Sequence, residues 1–139
     1  MQKPVIKDNV ITIPSSEDYL VDVDNFVEGI LENFGLDKST IADIAISVTE
    51  VVVNSIIHGN KSILEKKVTV AVAKKDSLIE IMVTDQGEGF NPDELESPVS
   101  KENLLKEIGR GIFIVKSLMD KVEIEPGKSG TKVTLMKNV

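Results

Sequence analysis

The chain has 139 residues, a length that supports one domain with a sizeable core but not two full ones. Its composition, 41% hydrophobic and 28% charged, is typical of a globular protein and excludes disordered and fibrous classes. The net charge is −7, and there are no Trp, one Tyr and four Phe. Direct binding of nucleic acid is therefore not expected, because it requires clustered Lys and Arg with aromatic platforms for the bases.

The absence of cysteine excludes disulfides and thiolate metal sites, and a single histidine, His58, argues against zinc. The amino-terminal segment MQKPVIKDNV lacks the apolar run of a secretory signal. No stretch is expected to provide the roughly 20 apolar residues of a membrane span. We therefore expect a cytoplasmic protein without membrane contact.

The first predicted strand covers Val5–Ile13 and ends before Pro14. Ser15 or Ser16 then caps a helix that Gly35 terminates. The apolar residues of this helix recur at the spacing of one helical face: Leu20, Val23, Phe26, Val27, Ile30, Leu31 and Phe34.

Asp37 or Ser39 caps a second helix, from Thr40 to about His58. It is apolar nearly all round, which predicts the buried central helix. Gly59 is placed to end it, and we expect His58 to be structural or pocket-lining because the chain has no second histidine.

The second half of the chain predicts a hairpin, a long polar segment, a helix and two more strands. These elements are Val68–Ala73, Leu78–Thr84, residues 91–108, Arg110–Met119, Lys121–Glu125 and Thr131–Met136. The order predicts a single α+β domain over residues 1–139. We expect a two-layer sandwich with a mixed, mostly antiparallel sheet and helices on one face.

Glu50 and Asn54 are four residues apart in the segment TEVVVNSIIHGN, so they project from one face of the second helix. A carboxylate buried without a partner is costly, so this face should meet a cavity, a metal or a charged partner. An amide oxygen suits Mg²⁺, and a carboxylate one turn earlier is placed to activate a nucleophile that attacks a γ-phosphate. The alternative is a polar pair at the solvent edge of the helix.

Asp85, Gly87 and Gly89 follow an apolar strand in the segment TDQGEGF. A carboxylate at a strand end can accept a hydrogen bond from an exocyclic amine such as that of adenine. Glycines remove side chains where the backbone must approach a flat ring or turn sharply. An ordinary turn is the alternative, since Asp with Gly is common turn chemistry.

Gly109, Arg110 and Gly111 directly precede the apolar helical segment IFIVKSLM. Free amides at a helix start attract phosphate, glycine lets it come close, and the arginine adds charge or contacts a partner. A flexible hinge is the competing interpretation. Neither the GxxxxGK[ST] pattern nor the GxGxxG pattern is present.

Taken in this order, the three segments resemble those of the GHKL-type (Bergerat) ATP-binding domains, in particular the small anti-sigma-factor serine kinases. The resemblance extends from about Ile11 to Met136 and includes the closing segment GTKVTL. It implies ATP and Mg²⁺ as cofactors and residues 91–108 as an ATP lid.

The resemblance also implies roles for single residues. Glu50 would be the catalytic base, Asn54 would bind Mg²⁺, and Asp85 would hold the adenine amino group. Gly87 and Gly89 would shape the adenine pocket. The nucleotide would also be contacted through Gly109, Arg110, Gly111 and Thr131.

Members of this family act in partner switches, which implies a STAS-type anti-sigma-factor antagonist as the protein substrate and a homodimer as the assembly. A sigma factor is a further possible partner, although the outer face of the first helix is acidic. The alternative function is a non-catalytic module that uses ATP to grip a protein partner such as a sigma factor. A nucleotide-free scaffold is a third possibility, and retention of Glu50 favours the kinase.

Overall fold

The computed structural model describes residues 3–87 and 109–139. Two strands open the chain, β1 (Val5–Lys7) and β2 (Val10–Pro14), and a 3-10 turn at Glu17–Tyr19 leads into helix α1 (Leu20–Asn33). Helix α2 (Lys38–Asn54) continues into a π-helical turn (Ser55–Gly59). The hairpin β3 (Lys67–Lys75) and β4 (Leu78–Thr84) follows. Residues 109–118 are helical and form α3. The strands β5 (Lys121–Gly127) and β6 (Gly130–Asn138) complete the described elements.

The sheet has the order β1-β2-β3-β4-β6-β5, and every pairing in it is antiparallel. Inward positions align across the strands, as in the row Ile11, Val70, Val83 and Val133. These residues are buried in one cluster with apolar residues of the helices, including Val27, Leu31, Ile44, Val48 and Val115. This arrangement confirms the predicted α+β sandwich of a mostly antiparallel sheet and helices, and the pairings among the described strands are all antiparallel.

The expected single strand over Val5–Ile13 is wrong, because the chain reverses at Asp8 and forms two paired strands. Asp8 adopts a left-handed conformation with φ 53°. Aspartate tolerates this conformation better than most non-glycine residues. The turn therefore lacks the Gly or Pro that would have marked it in the sequence.

Two side chains that the sequence offered as helix caps make capping hydrogen bonds in the structure. Ser16 accepts a hydrogen bond from the Asp18 amide at 3.2 Å, and Asp37 accepts one from the Thr40 amide at 2.7 Å. Side-chain oxygens at these positions satisfy amides that have no partner within the helix. Gly35 has φ 80°, the left-handed conformation that ends a helix.

The helical segment Lys38–Gly59 is 22 residues long and apolar enough to cross a membrane by length and composition, so the expectation that no stretch approaches this size is wrong. Half of its apolar window is buried inside the domain. The buried half packs on the sheet in the main core, whereas Ile46 is 49% exposed. The segment is therefore the core helix of a globular domain, although it is not buried all round.

Candidate functional site

A cavity of about 240 Å³ lies where the end of α2, the end of β4, helix α3 and the β5–β6 hairpin meet. Its walls are largely apolar and include Val51, Ile112, Ile124 and Val133. The polar groups that converge on it come from Asn54, Ser55, His58, Asp85 and Thr131. A concave apolar pocket with a few convergent polar groups is the usual form of a small-molecule site.

The π-helical turn at Ser55–Gly59 shapes one wall of this cavity. The sequence predicts a regular helix to about His58, but the Asn60 amide donates to the Ser55 carbonyl at 2.8 Å, a five-residue hydrogen bond. Asn54, Ser55, His58 and Gly59 all line the cavity. Single π turns occur frequently at functional sites.

Asp85 follows β4 and forms the polar end of the cavity. Its side chain is 5% exposed, and its Oδ1 accepts hydrogen bonds from the Gly87 amide at 3.1 Å and the Thr131 amide at 3.0 Å. Its own amide donates to the Thr131 carbonyl at 3.0 Å. Both backbone groups of Thr131 therefore fix Asp85 from the neighbouring strand. The carboxylate remains available as an acceptor for a donor on a ligand, since each oxygen has two lone pairs.

Three glycines make the close packing around Asp85 possible. A Cβ on Gly59 would overlap Oδ2 of Asp85, and a Cβ on Gly130 would overlap the Asp85 carbonyl oxygen. A Cβ on Gly87 would overlap the Gly59 carbonyl oxygen. Gly87 thus packs the segment Asp85–Gly87, the Asp85 corner, directly against the π turn. Gly59, expected only to end a helix, is also a packing partner of the candidate ligand-binding carboxylate.

The first and third sequence segments meet at Gly111. A Cβ on Gly111 would lie 3.2 Å from Glu50 Oε2 and 3.3 Å from Asn54 Nδ2, so helix α3 passes closely over both side chains. Gly109 and Arg110 are exposed, and Gly109 has open space where a side chain would be. Gly89 and residues 91–108, the expected lid, lie outside the described residues.

Glu50 is half-buried and borders a second groove, of about 380 Å³, between α1 and α2. Asp24 and Glu28 line this groove from α1. Repulsion from Asp24 is the main cause that raises the pKa of Glu28, followed by burial, a side-chain hydrogen bond with Asp24 and repulsion from Glu32. Glu50 therefore stands between an acidic groove and the Asn54 end of the cavity.

The residues present fit a purine nucleotide with its metal. The apolar walls and the Asp85 carboxylate suit a flat ring that carries an exocyclic amine. No cluster of three or more Asp, Glu, His or Cys with metal-binding geometry occurs among residues 3–87 and 109–139. Asn54 lines the cavity, and its side-chain amide offers an oxygen of the kind that Mg²⁺ accepts as a ligand.

The sequence reasoning missed Asn60, which is 0% exposed and directly behind Asp85. Its side chain makes three hydrogen bonds, to Ser15, to the Lys67 carbonyl and from the Gln86 amide. Ser15 and Gln86 lie 45 and 26 residues away in the chain. The only sequence signal was a polar residue at the end of an apolar helix, and a polar residue there is also expected in an ordinary turn.

Comparison with protein-family models places residues 13–137 in the histidine kinase-like ATPase domain. The chain is 28% identical over 134 residues to the serine-protein kinase RsbW of Staphylococcus epidermidis, covering 91% of this chain and 84% of that protein. It is 33% identical over 100 residues to the anti-sigma F factor of Bacillus thuringiensis, covering 70% and 68% of the two chains.

Two solved structures share the fold. One contains the RsbU and RsbW domains of Rv1364c from Mycobacterium tuberculosis, with a TM-score of 0.70 and 23% identity, covering 98% of this chain and 32% of that one. The other is the SiaB–SiaC complex from Pseudomonas aeruginosa, with a TM-score of 0.63 and 13% identity, covering 97% and 90%. At these identities the two structures support the fold alone.

Proposed function

We propose that this chain is a cytoplasmic protein-serine kinase that uses Mg²⁺ and ATP. The chain belongs to the histidine kinase-like ATPase domain family, and within that family it resembles the RsbW and anti-sigma F factor proteins. Its substrate is an anti-sigma-factor antagonist of the STAS type in a partner-switching system. The names of the relatives support this class of activity at 24–28% identity.

The observation that carries the proposal is that Asn54 and Asp85 line one cavity, and that Glu50 and Gly111 lie beside Asn54. A Cβ on Gly111 would contact both Glu50 and Asn54, and Asn54 and Asp85 line the same cavity. A nucleotide whose base rests against Asp85 would extend its phosphates toward Asn54. Glu50 would then lie at the end where phosphoryl transfer takes place.

The residues of the site have separate roles in binding the nucleotide and its metal. Asp85 accepts a hydrogen bond from the adenine amine, Thr131 and Gly87 hold that carboxylate, and Asn54 would hold the metal. When bound, Mg²⁺ neutralises negative charge on the phosphates. Gly89, Gly109, Arg110 and the expected lid would complete the phosphate end.

Glu50 acts as the base. It accepts the proton of the substrate serine hydroxyl as the serine oxygen forms a bond to the γ-phosphorus. The bond from that phosphorus to the β–γ bridging oxygen breaks, and ADP leaves. Positioning and electrostatics supply most of the rate in such transfers.

The test is transfer of labelled γ-phosphate to the STAS-type antagonist proteins encoded in the same genome. Glu50→Gln removes the base and preserves the side-chain shape, so we expect ATP binding to persist while the transfer rate falls by about 10²–10⁴. Glu65→Gln, at an exposed carboxylate that lines neither the cavity nor the acidic groove, is the matched control. Transfer by Glu50→Gln at the wild-type rate would show that Glu50 is not the base.

A second candidate function is a non-catalytic module that binds ATP and sequesters a partner such as a sigma factor. One observation favours it: Glu50 borders the acidic groove with Asp24 and Glu28, whereas Asn54 lines the cavity. In that case no antagonist would be phosphorylated, and ATP would change only the affinity for the partner. A homodimer remains an expectation in both cases.

A further inference from the structure

Asn60 is a fully buried polar residue whose hydrogen bonds join three separate parts of the chain. Its Nδ2 donates to Ser15 Oγ at 2.9 Å and to the Lys67 carbonyl at 3.0 Å. Its Oδ1 accepts from the Gln86 amide at 2.8 Å. Both side-chain donors are therefore used, and the acceptor is directed at the residue that follows Asp85.

The Gln86 amide belongs to the same peptide group as the Asp85 carbonyl. Asn60 holds this peptide by its N–H, and Gly130 packs so closely on its carbonyl oxygen that a Cβ there would overlap it. A planar peptide fixed on both edges has little freedom to rotate. The direction of the Asp85 side chain is set by the backbone that this peptide fixes.

The Gln86 side chain strengthens the same arrangement. Its Oε1 accepts from the Lys67 amide at 2.6 Å, while the Lys67 carbonyl accepts from Asn60. Asn60, Lys67 and Gln86 thus form a closed set of hydrogen bonds behind the candidate nucleotide cavity. Asn60 is the buried member of this set and Gln86 is exposed, so the bonds of Asn60 contribute most to its rigidity.

The backbone is locally strained immediately after Asn60. Lys61 and Ser62 have φ of 54° and 57°, a left-handed conformation that is unfavourable for residues with a Cβ. Two such residues in succession reverse the chain directly beyond the π turn.

We infer that Asn60 is a positioning residue that aims Asp85 at the base and thereby sets a preference for adenine over guanine nucleotides. The inference rests on the proposed binding of ATP at this cavity. The amine of adenine donates to a carboxylate, whereas guanine presents a carbonyl oxygen at the same ring position, which a carboxylate repels. Discrimination between these groups requires that the carboxylate be fixed, because a mobile one could turn away from the carbonyl.

The first experiment measures dissociation constants for ATP and GTP by calorimetry on wild type, Asn60→Ala and Ser15→Ala. Ser15→Ala removes one hydrogen bond of Asn60 but leaves the bond to the Gln86 amide, so it controls for a general loss of stability. For Asn60→Ala we expect ATP affinity to fall by about tenfold or more, with a smaller preference for ATP over GTP. For Ser15→Ala we expect the wild-type preference.

Retention of the wild-type ATP-over-GTP ratio in folded Asn60→Ala would overturn the inference while the proposed function stands. Binding of neither nucleotide by wild type would overturn both. The second experiment uses wild type alone, so it does not depend on the folding of a variant. Hydrogen exchange of the Gln86 amide should be slow without nucleotide, because Asn60 already holds it. Fast exchange that becomes slow only with ATP would show that Asn60 does not preorganise the corner.

Discussion

Replacing Gly59 by alanine tests whether the π turn and the Asp85 corner are packed as closely as the structure shows. The new Cβ would overlap the Oδ2 and Cγ atoms of Asp85. These atoms are held in place, so they cannot turn away as the free end of a flexible side chain could. Asp85 is held by the Gly87 and Thr131 amides, and its carbonyl rests on Gly130. The carboxylate therefore cannot move aside without the loss of at least one hydrogen bond.

The size of the effect follows from these contacts. A hydrogen bond to a charged group contributes about 1.5–3 kcal/mol. Alanine regains up to about 1 kcal/mol through its preference for helical conformations. We therefore expect Gly59→Ala to lower the free energy of unfolding by about 0.5–3 kcal/mol, which for a domain of this size is a fall in Tm of about 1–12 °C.

Gly29→Ala is the matched control, because Gly29 lies within α1 and has nothing within 4 Å of its missing Cβ. This variant should gain about 0.5–1 kcal/mol from helix preference alone. Urea unfolding followed by circular dichroism suits a chain without Trp and yields both values. If Gly59→Ala were as stable as wild type, or gained stability as Gly29→Ala does, the close contact between Gly59 and Asp85 would be refuted.

Three further predictions concern stability. Hydrogen bonds from Thr40 lower the pKa of Asp37 in the folded state. The stabilisation that Asp37 provides as a helix cap is therefore present above its unfolded-state pKa of about 3.9 and is lost as pH falls through the lower folded-state pKa. The difference in unfolding free energy between wild type and Asp37→Ala should shrink in acid. Repulsion from Asp24 raises the pKa of Glu28, so Glu28→Gln should be slightly more stable than wild type at neutral pH, with no gain below the unfolded-state pKa of about 4.3. Ile81 is fully buried in the sheet, so Ile81→Ala should cost about 2–5 kcal/mol in urea unfolding, and a cost under 1 kcal/mol would contradict its place in the core.

The regular elements could be predicted because their signals are local. Alternating apolar residues in β3 and β4 mark a half-buried hairpin, and Asp37 marks the start of α2 three residues before the amide that it caps. The β1–β2 reversal was missed because its turn signal is weak: Asp8 and Asn9 are turn residues, but no Gly or Pro accompanies them.

The candidate site was predictable only in part, because its contacts join distant segments. The spacing of Glu50 and Asn54 placed them on one face, but nothing local indicates that Gly111 packs against both. The role of Asn60 depends on partners from β2, from the start of β3 and from the end of β4. The π turn likewise arises from tertiary packing, since its sequence SIIHG continues an apolar helical pattern.

The central claim is that the cavity between Asn54 and Asp85 binds ATP with Mg²⁺. Calorimetry with ATP and ADP, with and without Mg²⁺, on wild type and Asp85→Asn tests it most directly. Asparagine keeps the Oδ1 acceptor for Gly87 and Thr131, but it can place an amide donor against the adenine amine. We expect metal-assisted ATP binding by wild type that is lost in Asp85→Asn. Folded wild type that binds neither nucleotide at millimolar concentration would contradict the claim.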